Sequence, residues 1–103
     1  MYHGENSMDG LDRSEELREL PIIKWSRDLV RCWLTGIGLQ EKYIQRLYDE
    51  ELNGACLLII TSSFLKESFE MKLGPTLLII TKRDRLVYQR QHYGGVFERG
   101  CLN

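Results

Sequence analysis

The chain has only two histidines and three cysteines in 103 residues, and neither set is arranged for chemistry. His3 and His92 lie near opposite ends, and Cys32, Cys56 and Cys101 share no CxxC pair or other short spacing. A zinc site needs convergent ligands at tight spacing, so no metal and no other cofactor is expected. An odd number of scattered cysteines reads as thiols in a reducing compartment rather than as a disulfide framework. A long apolar run is also missing, and the longest, Ala55–Ile60, is far too short to span a bilayer. The opening MYHGENSMDG holds no basic segment followed by an apolar one, so no secretory signal is expected. Tyr2 after Met1 excludes myristoylation, and Cys101, third from the end, spoils a prenylation box. The expectation is an intracellular chain, cytoplasmic or nuclear, without membrane insertion.

Charge of one sign is lacking too. Fourteen basic residues against fifteen acidic ones leave a net charge of -1, which points to neither nucleic acid nor a membrane surface. Catalytic constellations are equally scarce. Both histidines sit in segments read as flexible, and catalysis needs groups held by a rigid shell. Gly36-x-Gly38 has Glu41 where a dinucleotide loop needs its third glycine. The adjacent pairs Glu15-Glu16 and Glu50-Glu51 face different ways on a helix and read as solvated surface. An enzyme is not expected.

What is present is an ordinary globular balance, 43% apolar and 28% charged, in a chain long enough for one core without staples. Residues 1–21 read as a flexible N-terminal segment carrying a short acidic helix. Asp12 is its candidate N-cap with Glu15 three positions on, and the helix stops before Pro21. Ser26 can cap a helix with Leu29, Val30, Trp33, Leu34 and Ile37 on one face, ended by Gly36 and Gly38. Tyr43, Ile44, Leu47 and Tyr48 continue the helical period, and Asn53-Gly54 closes that segment as a C-cap or turn. Thr61, Ser62 and Ser63 offer the next N-cap, ahead of Phe64, Leu65 and Phe69.

The pentapeptide LLIIT occurs twice, at Leu57–Thr61 and Leu77–Thr81. Two parallel strands with residues 62–76 as crossover would satisfy the spacing. Each copy, however, joins a helix with no turn residue between, and no third β-rich run exists to complete a sheet. The flanks do not match, so the pair is not a structural repeat. Two helices is the reading, the second opened by Leu73-Gly74-Pro75, with proline in a first turn. Residues 22–90 then form the folded domain, and residues 91–103, with three glycines in the last twelve, a flexible C-terminal tail.

These residues resemble the sterile alpha motif (SAM) family across residues 22–90. The family's opening tryptophan, valine and Trp-Leu correspond to Trp25, Val30 and Trp33-Leu34. Ile37-Gly38-Leu39 and Tyr43 come next. Its central core matches Leu52-Asn53-Gly54, Leu57-Leu58, Ile60-Thr61 and Leu65, and its last helix matches Leu73-Gly74-Pro75 and Ile79-Ile80. Glu70 stands where the family usually has glycine, Pro75-Thr76 replace its His-Arg, and Arg83 takes a core position four residues after Ile79. The resemblance implies an all-α, five-helix SAM-like bundle with a short extra N-terminal helix. Its expected core is Trp25, Val30, Trp33, Leu34, Ile37, Leu39, Tyr43, Leu47, Leu57, Leu58, Leu65, Phe69, Leu77 and Ile80.

The resemblance also implies a function: protein–protein association with itself or another SAM domain, in a scaffold or signalling protein. In the family an acidic mid-loop surface on one domain meets the start of the last helix on another. Here the first surface would be Asp49, Glu50, Glu51 and Asn53, and the second Lys72, Leu73, Gly74, Pro75 and Leu77. Lys72 would carry the contact that the family's arginine makes. The alternative is an RNA-hairpin-binding domain using Lys82, Arg83 and Arg85 on the basic last helix.

Overall fold

The computed structural model describes Arg13 and residues 15–99, with side chains as far as Gln91. The Asp12 cap, residues 1–11 of the segment expected to be flexible, His3, the His92 side chain and Cys101 lie outside the described residues. Every regular element described is helical. A helical stretch covers residues 15–19 and a 3-10 turn covers Ile22–Lys24. Beyond them lie five α-helices: α1 (Arg27–Gly36), α2 (Glu41–Asp49), α3 (Gly54–Ile59), α4 (Ser62–Ser68) and α5 (Leu73–Arg99). The all-α expectation holds. By internal contacts the chain divides between Ile60 and Thr61 into two compact units.

The first unit is built on α1. Ser26 is extended and its Oγ accepts the Leu29 amide at 3.2 Å, satisfying one of the donors a helix start leaves open. Leu29, Val30 and Leu34 are buried along one face, as a helical period requires. Trp25 is almost wholly buried and its indole N–H donates to the Leu20 carbonyl at 3.1 Å. Trp33 is only half-buried, with its ring 6.4 Å from that of Trp25. Arg13 Nη1 donates to Cys32 Sγ at 3.7 Å, a weak bond that also reaches the N-terminal stretch.

Both α1 and α2 end in the same backbone device. After α1 Gly38 takes φ 90°, with its amide on the Thr35 carbonyl and that of Leu39 on Leu34. Gly36 stays helical, so one glycine of the pair, not both, provides the left-handed residue. After α2 the left-handed residue is Glu51, at φ 61°. Its amide bonds the Tyr48 carbonyl at 2.9 Å and the Leu52 amide bonds Leu47 at 3.1 Å. The buried Leu47 and Leu52 supply the apolar contact that accompanies this motif.

Asn53 opens α3 rather than closing the segment before it. Its side-chain oxygen accepts the Cys56 amide at 3.0 Å. Gly54 must be glycine for a reason local sequence does not show: a Cβ there would fall on the Ile22 carbonyl. Its N–H donates to the Trp25 carbonyl at 2.9 Å, so bare backbone docks α3 against the 3-10 turn. The first LLIIT thus ends a helix, with Ile60 extended and Thr61 capping the next.

In the second unit the Thr61 hydroxyl accepts the Phe64 amide at 3.1 Å. Leu65 and Phe69 turn inward, and Phe64 packs edge-on against Phe69 at 5.7 Å. Glu70 holds φ 50° and Met71 bonds back to the Leu65 carbonyl at 3.1 Å. Helix α5 contains the whole second LLIIT and continues past Arg90 to Arg99. One core expectation is corrected here: Leu77 is 49% exposed. Of the expected core residues, Trp33, Ile37, Leu58 and Ile80 are half-buried, and Ile79, next to Ile80, is buried. Four consecutive apolar residues carry no phase, and the buried Met71, Thr76 and Ile79 show which face is inward. The Arg83 side chain, four residues after Ile79, is 12% exposed and its Nε donates to Asp84 at 2.7 Å, an aliphatic stem covered and a head satisfied.

Candidate functional site

The two surfaces implied by the resemblance lie on different units. The acidic one is the end of α2. Asp49, Glu50 and Glu51 are all exposed, because a helix that stops in a left-handed turn throws its last residues outward while Leu47 and Leu52 turn in. Asp49 is steadied by Gln45, whose Nε2 donates to Oδ1 at 2.9 Å. Asn53 is exposed but spends its side-chain oxygen on capping α3. Three exposed acidic side chains on consecutive residues make a compact surface open to a cation.

The second surface is the first turn of α5. Lys72 is exposed and its carbonyl accepts the Thr76 amide at 3.1 Å and the Thr76 hydroxyl at 2.8 Å. Leu73 is 56% exposed, Gly74 has open space where a Cβ would stand, and Pro75 is half-buried. Leu73 and Leu77 are four apart and so share a helix face. Thr76, where the family has a cationic side chain, is wholly buried, so the position faces inward in this chain. Lys72 thus stands next to two exposed leucines on one helix face.

The three residues of the RNA alternative are not alike. Arg83 is engaged with Asp84, Lys82 is half-buried, and of the three only Arg85 is exposed. Among the described residues no cluster of three or more histidine, cysteine, aspartate and glutamate side chains could hold a metal ion. No helix among them is long and apolar enough to cross a membrane.

Sequence reasoning missed the support beneath the acidic turn. Arg27 Nη1 donates to the Tyr48 carbonyl at 3.1 Å, and its guanidinium lies 4.3 Å from the centre of the Tyr48 ring. Arg31 lies 4.7 Å from the same ring. The Tyr48 hydroxyl donates to Asp28 at 2.8 Å. No local pattern signals contacts between residues about twenty positions apart. The one available hint was a half-apolar tyrosine directly before three acids.

No family model matches the chain. It is 34% identical over 76 residues to a mouse protein, Sterile alpha motif domain-containing protein 9-like, a match covering 72% of this chain. It is 30% identical over 77 residues to the Drosophila melanogaster Polyhomeotic-proximal chromatin protein, covering 75% of this chain. The matched regions are 5% and 4% of those two proteins. Among solved structures, the Polyhomeotic SAM domain superposes with a TM-score of 0.61 at 30% identity. That match takes in 64% of this chain and 94% of the other. With an all-helical fold and these relatives, the chain belongs to the sterile alpha motif domain family, a family of protein-interaction modules.

Proposed function

We propose that this domain associates head to tail with SAM domains, its own copies or others, in a scaffold or signalling protein. Asp49, Glu50, Glu51 and Asn53 of one domain receive Lys72, Leu73, Gly74, Pro75 and Leu77 of the next. The observation that carries this reading is the joint exposure of Leu73 and Leu77 beside Lys72, while Thr76 and Ile79 on the same helix are buried. Leu73 and Leu77 lie four apart on one helix face and so form an apolar pair that a single partner can cover. The surfaces differ in chemistry, one acidic and one basic with exposed leucines, so the contact is heterologous, the kind that builds rings or open filaments. The similarity to a chromatin protein and to a small part of two long chains supports an intracellular module, cytoplasmic or nuclear, carried within a larger protein. The engagement of Arg83 with Asp84 disfavours the RNA reading.

Sedimentation velocity across a hundredfold concentration range, at low and high salt, tests the proposal. The expected result is a coefficient that climbs with concentration and falls back in high salt, because exposed charge pairs are screened. Glu50→Lys/Glu51→Lys or Lys72→Glu should each abolish the climb. A fixed monomer under every condition would overturn self-association and direct the search to other SAM domains, then to RNA hairpins.

A further inference from the structure

The acidic turn is organised around one backbone atom. The Tyr48 carbonyl oxygen accepts the amide of Glu51 at 2.9 Å, and Arg27 Nη1, arriving from the first turn of α1, donates to that same oxygen. The guanidinium also stacks on the Tyr48 ring, and Asp28, next to Arg27, accepts the Tyr48 hydroxyl. One end of α1 therefore holds Tyr48 at its carbonyl, ring and hydroxyl. The turn just beyond Tyr48 needs holding, since Glu51 adopts a left-handed conformation that a residue with a Cβ disfavours.

We infer that Arg27 is a positioning residue for the acidic surface: by fixing the Tyr48 carbonyl it keeps Glu50 and Glu51 in the turn geometry that a basic, apolar partner surface reads. The inference rests on the association proposed above. Its competitor is purely electrostatic, and the two differ in sign. A guanidinium near three carboxylates, acting only as a charge, weakens their pull on a cationic partner, so removing it tightens binding. Acting as a support, its removal loosens the turn and weakens binding.

The experiment uses two half-blocked copies of the chain. One carries Lys72→Glu and keeps the acidic surface, and the other carries Glu50→Lys/Glu51→Lys and keeps the end-helix surface. Titration calorimetry between them reads a single contact. Arg27→Met and Arg27→Lys are then placed in the copy with the acidic surface. Both should weaken binding about five- to tenfold, the lysine despite its retained charge, because the fork that bonds the carbonyl and stacks on the ring is lost. In the same variants, amide hydrogen exchange should quicken at Glu51 and Leu52 and stay unchanged at Leu57 and Ile79, which a general loss of stability would not do. Binding of Arg27→Met that is unchanged or tighter, or unaltered exchange at Glu51, overturns the inference. If the pair with native Arg27 fails to bind at all, self-association falls, and exchange at Glu51 alone decides the role of Arg27.

Discussion

Glu51 and Glu70 are the two residues other than glycine with positive φ among those described, and they test stability and function separately. A left-handed residue with a Cβ costs about 1–2 kcal/mol, and glycine returns part of this through the entropy of the unfolded chain. Glu70→Gly should therefore stabilise the fold by about 1 kcal/mol, raising Tm by about 5 °C in a thermal melt, with association unchanged. Glu51→Gly should raise Tm similarly but weaken association, because the carboxylate goes with the strain. Equal loss of association in both variants would show that the acidic turn is not the reading surface. Gly54 presents the opposite case, with negative φ and no room. Gly54→Ala should cost about 3 kcal/mol in denaturant unfolding, since the Ile22 carbonyl that its Cβ meets is backbone and cannot swing aside.

At the scale of elements, α3 and α4 are too short to persist alone, and their starts carry much of the burden. Asn53→Ala and Thr61→Ala should each cost about 1 kcal/mol by chemical denaturation, as lost caps do. Trp25→Ala should cost more than Trp33→Ala, although Trp33 fits the family pattern equally well, because only Trp25 is fully buried and hydrogen-bonded. The caps at Ser26 and Thr61, the glycine ending α1 and the helical nature of both LLIIT copies are legible from the residues, because each depends on neighbours within one turn. The terminating roles of Glu51 and Glu70 are not, since glutamate carries no left-handed signal. The capping role of Asn53 is missed for a related reason: an Asn-Gly pair can end one helix or begin the next. The acidic turn is legible as a run of like residues, while Leu77 fits both the core and the surface by sequence, and only burial places it outside. The Arg27–Tyr48 contact needs the packing of α1 on α2, which no window of sequence contains.

For the whole molecule, the two proposed surfaces set the form of assembly. A native chain with both surfaces would add a neighbour at each, whereas a copy with one surface blocked could only terminate growth. An equimolar mixture of the Lys72→Glu and Glu50→Lys/Glu51→Lys copies should stop at twice the monomer mass by light scattering. Either copy alone should remain monomeric. Mixtures that grow beyond dimers would mean that a third surface takes part, and the exposed Ile23 and Ile59 would be the first side chains to replace. An RNA role would instead show as a hairpin shift with a steep salt dependence, lost on Lys82→Glu/Arg83→Glu.

The Tyr48 carbonyl shared by Arg27 and Glu51 has a thermodynamic corollary. Coupling free energies are reciprocal. If the grip of Arg27 favours an incoming domain, then an incoming domain must strengthen the grip of Arg27 by the same factor. Every link added to a chain of domains would thus make the turn that received it harder to open. The Arg27 side-chain N–H protons, silent bystanders at the contact itself, would become slow-exchanging reporters of how many domains are joined.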